Sequence, residues 1–159
     1  MKTKLITMIL TAFVATAVLA GCTVTKSEMS YTYNVETGDT VKMTLNKTNG
    51  YSTTSELPFT VTKEEKDIMQ GTFITMEGYD YYKDLINELE KTDEIEIIVK
   101  DGEKDGNTYT SYKVESEAGT EYDYLLKIGD SSTGVLMGSL ESKEKASSCF
   151  EAIKFTLER

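Results

Sequence analysis

The sequence contains no histidine and no tryptophan, one proline, two cysteines, and only 17 Lys and Arg against 27 Asp and Glu in 159 residues, a formal charge of −10. Each shortage excludes a class of function. Without His there is no Ser-His-Asp or Cys-His catalysis and no His-ligated metal. An acidic chain without a Lys/Arg cluster is repelled by phosphate backbones, so no nucleic-acid partner is expected. What is present suffices for a fold. Hydrophobic residues make up 39% of the chain, enough for a packed core. The length allows one ordinary domain.

The N-terminus carries the most specific pattern. Lys2 and Lys4 form a short positive region, and Leu5–Leu19 is apolar and uncharged. That stretch has the length of a signal-peptide core and is short for a membrane span. It ends in Leu19-Ala20-Gly21-Cys22, which resembles the lipobox of bacterial lipoproteins. The resemblance covers residues 1–22. It implies cleavage between Gly21 and Cys22 and a thioether-linked diacylglycerol on the Cys22 sulfur. Two or three acyl chains, at ~0.8 kcal/mol per buried CH₂, anchor stably where one is marginal. An ordinary secretory signal with a chance Cys and a retained transmembrane anchor are the competing readings.

The expected organisation is a signal peptide over 1–21, a lipidated Cys and polar tether over 22–28, and a single domain over 29–159. Thr23–Glu28 reaches at most ~20 Å, which would hold the domain near the membrane surface. Removing the two signal lysines leaves 15 basic against 27 acidic side chains, a charge of −12 for residues 22–159. With Cys22 used for lipid, Cys149 has no disulfide partner.

Hydrophobic periodicity predicts short strands and two helices. Met29–Val35 and Val41–Leu45 alternate and flank the turn Glu36-Thr37-Gly38-Asp39. Asn46–Ser55 is turn-rich, Leu57–Val61 is a strand with Pro58 at its start or on an edge, and Asp67–Thr75 is a longer strand. Tyr79, Tyr82, Leu85, Ile86 and Leu89 recur at three to four residues, an amphipathic helix. Strands are expected again over Ile95–Val99, Asn107–Glu115, Thr120–Ile128 and Gly134–Leu140. A second helix starts at the N-cap Ser142 with Ala146, Cys149, Phe150 and Ile153 on its apolar face, and Phe155–Leu157 closes as a strand. This order argues the α+β class, a mainly antiparallel sheet packed with two to three helices.

The stretch from Val41 to Glu158 is similar in pattern to the PsbP-like fold. The points of similarity are Leu57-Pro58-Phe59, the mid-chain helix, three meandering strands, and the Ser142–Ile153 helix running into Lys154-Phe155-Thr156-Leu157. The resemblance implies a central antiparallel sheet with helices on its faces. It carries no catalytic motif, and members of known role act mostly as docking or accessory proteins.

Candidate chemistry is sparse. Cys149 sits on an apolar helix face and reads as a small core residue rather than a nucleophile. Ser142-Lys143-Glu144-Lys145 fits S-x-x-K, but the companion motifs of penicillin-binding enzymes are absent and helix capping explains Ser142. Asp101, Glu103 and Asp105 precede Gly106, like the first half of an EF-hand loop, but Tyr112 stands where the bidentate Glu belongs. A polar hairpin is the commoner meaning, so no metal is expected, with these three the only cation candidates. Of ten tyrosines, Tyr81 and Tyr109 lie off the apolar stripes and are the candidate exposed aromatic contacts. Acidic pairs such as Glu64/Glu65, Glu88/Glu90 and Glu115/Glu117 read as solvated surface.

The expectation is therefore a lipid-anchored, monomeric lipoprotein on the extracytoplasmic face of a bacterial membrane. It acts as a non-catalytic binding or accessory module for a protein, peptide or cell-wall partner, with no cofactor. The alternatives are a small carboxylate-based hydrolase, an acidic cation-binding protein and an immunity-type lipoprotein.

Overall fold

The computed structural model describes residues 13–92, 96–116 and 119–158. The positive region, most of the apolar stretch, Ile95 and Glu117 lie outside the described residues. Among the described residues, eleven strands and two helices follow in the order β1 (Ala17–Val24), β2 (Glu28–Val35), β3 (Thr40–Asn46), β4 (Tyr51–Thr53), β5 (Phe59–Lys63), β6 (Lys66–Thr75), α1 (Met76–Leu89), β7 (Glu96–Lys104), β8 (Asn107–Ser116), β9 (Gly119–Lys127), β10 (Thr133–Ser139), α2 (Lys143–Ala152) and β11 (Ile153–Glu158). The strands form a four-stranded sheet, β1-β2-β3-β11, and a seven-stranded sheet, β4-β5-β6-β10-β9-β8-β7. All the pairings are antiparallel. The α+β expectation, mainly antiparallel with helices packed on it, holds. The arrangement departs from one central sheet with helices on its faces, because the strands divide into two sheets that face each other.

Alternation explains the division of faces. Tyr31, Tyr33 and Val35 of β2 and Val41, Met43 and Leu45 of β3 point inward and are buried, with polar residues between them. They meet Phe59, Val61, Met69, Phe73, Val135 and Met137 of the larger sheet in one apolar layer. Rings cross that layer edge to face: Tyr33 lies 5.3 Å from Phe73, and Phe73 lies 6.3 Å from Phe155 of β11. Four strands do not cover seven, and α2 continues the smaller layer. Its Phe150 stacks on Tyr124 at 4.0 Å and meets Tyr109 at 4.9 Å. Cys149 is buried beside it, and burial pushes its thiol up to about 12, so it packs as an inert core residue.

The outer face of the large sheet is covered by α1. Thr75 caps it, its hydroxyl accepting from the Gly78 N–H at 3.2 Å. Tyr82 and Ile86 pack on Ile74 and Leu125 in a second, smaller apolar cluster.

Polar links tie the layers at their ends. The Asp39 carboxylate accepts from the Ser132 N–H at 2.8 Å and the Thr133 hydroxyl at 2.7 Å, joining the β2–β3 turn to the β9–β10 turn. The buried Asn107 amide donates to the Phe155 carbonyl at 2.9 Å, and its oxygen accepts from the Gly129 N–H at 3.0 Å. Pro58 precedes β5, at the strand start, where the missing N–H costs no ladder bond.

Two strands were not legible: the short β4 lies within the turn-rich stretch Asn46–Ser55, held by its pairing with β5, and β1 falls on the signal and tether. Ala17–Val24, half signal sequence and half tether by its residues, pairs along β2, with Cys22 opposite Tyr31 and Leu19 opposite Tyr33. It is an unusual strand. Val18, Leu19 and Val24 are three of the five large apolar side chains exposed among the described residues.

Packing is tightest where β5, β6 and β10 run side by side. A Cβ on Gly71 would lie 2.7 Å from Met137 Cγ and closer still to the Phe59 ring. Gly71→Ala should lower the unfolding free energy by about 1–3 kcal/mol, read from urea melts, because the layer cannot widen cheaply. An unchanged midpoint would mean this interior is loosely packed.

Candidate functional site

The outer face of the large sheet beneath α1 gathers the polar groups that matter. β8 supplies Thr110 and Tyr112, β9 supplies Glu121, Asp123 and Leu125, and β10 supplies Gly138. Register aligns Tyr112 with Asp123 and Asp123 with Gly138. Since residues two apart on a strand share a face, Glu121 and Asp123 are neighbours, and their carboxyls hydrogen-bond each other. Gly138 makes the room: a Cβ there would stand 2.6 Å from Asp123 Oδ1 and 3.0 Å from Glu121 Oε1.

Two half-buried carboxyls in contact cannot both ionise cheaply. Burial pushes Asp123 well above the usual carboxylate range, and the Glu121 charge beside it pushes the same way. Burial also raises Glu121, while the hydrogen bond from Asp123 works against that rise. Burial and the contact thus favour the protonated form at Asp123 over that at Glu121. Tyr112, beside both, is raised well above 10 by burial and then by the two acids. The Tyr82 hydroxyl of α1, which bears on Tyr112, and the Thr72 hydroxyl of β6 are buried without a hydrogen-bond partner.

An open cleft of about 440 Å³ lies at the end of this face, between α1 and the β7–β8 hairpin. In it the Lys83 ammonium donates to Asp101 Oδ1 at 2.7 Å and to the Thr110 hydroxyl at 2.5 Å, and Thr110 donates to Asp101 at 2.5 Å. The hydrogen bonds from Lys83 and Thr110 hold Asp101 below its usual range.

The residues singled out from sequence fall in four places. Asp101 and Glu103 are in β7, while Asp105 begins a two-residue turn with Gly106, both with positive φ. The acidic run is thus a hairpin rather than a wrapping loop: Asp101 is engaged by Lys83, and Asp105 pairs with Lys104 at 3.1 Å. Among the described residues no group of three Cys, Asp or Glu side chains could hold a metal. Tyr81 and Tyr109 are half-buried rather than exposed. Tyr81 stacks under Phe13 at 5.1 Å, and Tyr109 packs on Phe150. Gly21 lies within β1, and Cys22 is exposed there with a free thiol. No described helix is long and apolar enough to cross a membrane.

Glu121 and Asp123 were missed because Tyr122, Tyr124, Leu126 and Ile128 claim the inward face and leave the other for solvent. Leu125, an apolar residue on that other face, was the available signal that something covers it. No family model matches the chain, and neither a characterised protein nor a solved structure shows significant similarity to it.

The raised Asp123 has a measurable consequence. Between the ordinary Asp value of 3.8 and the raised folded value, the folded state binds more protons than the unfolded chain. Stability from this group is therefore present at low pH and lost as pH rises through that window. Asp123→Asn should flatten the fall, read as the difference between wild-type and variant denaturant melts from pH 4 upward, in units set by the ordinary ~1.4 kcal/mol per pKa unit. A wild-type-minus-variant difference independent of pH would show that the pair is solvated.

Proposed function

We propose that this protein is a lipid-anchored lipoprotein of the extracytoplasmic membrane face, acting there as a non-catalytic binding or accessory module. The observation that carries the reading is Leu19-Ala20-Gly21-Cys22 at the end of a charged-then-apolar N-terminal segment. The exposed Cys22 thiol supports it, since lipid must attach to an accessible sulfur. So does the apolar surface of β1, whose exposed Val18 and Leu19 serve a signal better than a core. The domain's charge of −12 sets its posture. Anionic lipid repels it, so it stands off the bilayer with its faces open to a partner. The likeness to PsbP-like accessory domains points the same way and rests on the terminal helix and strand.

A carboxylate hydrolase is the second reading, favoured only by Glu121 and Asp123. Their mutual hydrogen bond brings them closer than the ~5 Å or ~6.5–9.5 Å that a glycosidase pair leaves for substrate and water. The contact suits a carboxyl hydrogen-bonded to its neighbour rather than an acid and a nucleophile flanking a bond.

Cys22→Ser should shift the protein out of the membrane fraction or leave it at full precursor length. Unchanged processing and unchanged fractionation would remove the lipobox from the account.

A further inference from the structure

Residues 13–21 do more in the full chain than precede Cys22. They run as a strap along one edge of the sandwich, and each contact they make is specific. The Ala15 N–H donates to the Phe73 carbonyl at 3.0 Å, Val14 bridges to Ile74, and Ala15 is wholly buried. The Phe13 ring lies on Tyr81, and its Cβ rests where a side chain at Gly78 would be, 2.6 Å away. The Thr16 carbonyl accepts from the Glu36 N–H at 2.8 Å. Ala17–Gly21 then pairs with Thr32–Val35 on the open edge of β2.

Cleavage before Cys22 takes all of this away while leaving Cys22–Val24 opposite Met29–Tyr31. The β2 edge then has unpaired N–H and C=O groups, β6 has a free backbone stretch at Phe73–Ile74, and Tyr81 and Gly78 line an empty aromatic slot. An edge of this kind is a template for an added strand.

We propose that the mature protein binds an extended, uncharged apolar segment of another polypeptide along this edge by strand addition. This rests on the lipoprotein reading, because only processing opens the edge. The occupant's chemistry is written in the segment that fills the edge beforehand, Phe13-Val14-Ala15-Thr16-Ala17-Val18-Leu19-Ala20-Gly21. An aromatic ring enters the Tyr81 slot. Two residues later only a small side chain fits, since Ala15 has no exposed surface. No proline is tolerated at that position, whose N–H is a donor. Acidic segments are repelled by the domain's −12 charge.

The test uses the lipidated mature protein in detergent, its N-terminal residue established as Cys22 by mass spectrometry. The probe is a fluorescent peptide of residues 13–21 with a Lys-Lys tail, followed by anisotropy. Saturable binding is expected, weakened tenfold or more by Phe13→Ala or Ala15→Leu in the peptide. Gly78→Ala in the protein should weaken the unaltered peptide to a similar degree and have little further effect on a Phe13→Gly peptide, which lacks the Cβ that an alanine there would meet. Absence of saturable binding to protein that begins at Cys22, or indifference to Gly78→Ala, overturns the proposal and leaves the lipoprotein reading standing. A dimer of the mature protein that the peptide does not dissociate assigns the edge to a second copy and overturns it too. Recovery of residues 13–21 on the membrane-extracted protein overturns both.

Discussion

The contact of Tyr33, Phe59, Phe73 and Phe155 across the interior is the constraint on which the rest of the structure depends. These four rings come from both sheets, and their edge-to-face and tilted packing sets the separation at which the sheets face each other. Because Phe155 belongs to the last strand, the C-terminus must return to pair with β3, and α2 spans the gap on the way. The same helix then covers the part of the large sheet that four strands leave bare, through Phe150 on Tyr124. The outer face of that sheet, needing its own cover, takes α1.

Most elements were legible because one side of each is buried. Alternation in β2, β3, β8 and β9 and the three-to-four residue spacing in both helices follow directly from burial on one face. The Asn107–Ser116 strand and the Ser142 cap fall where spacing and capping chemistry put them. Sheet membership was not legible, since alternation assigns a face and says nothing of which strands share a sheet. β11 pairs with β3 from over a hundred residues away, and no local pattern announces that. The carboxyl pair was hidden for a related reason. Glu121 and Asp123 have the spacing of a solvated strand face, and α1, packing on Leu125 of the same face, leaves them half-buried.

The N-terminal segment shows how one stretch of sequence can satisfy two demands. Small and β-branched residues suit a signal core before a processing site, and they also suit an edge strand beside β2. The strand makes real backbone hydrogen bonds yet leaves Val18 and Leu19 exposed. It is an addition to a sandwich whose core residues otherwise lie between Met29 and Leu157, apart from Ala15 and Ala17. If the proposed processing removes the segment, a domain built this way keeps its ring cluster, and what it loses is the cover of one edge.

Hydrogen exchange compared between the full chain and a chain that begins at Cys22 tests that division most directly. Amides of β3, β10, β11 and the part of β6 before Phe73 should be protected equally in both, with protection lost only at the β2 edge and around Phe73–Ile74. Loss of protection throughout the sandwich on removal of residues 1–21 would show that the N-terminal strand is integral to the fold, and the account of a stable domain opened at one edge would be contradicted.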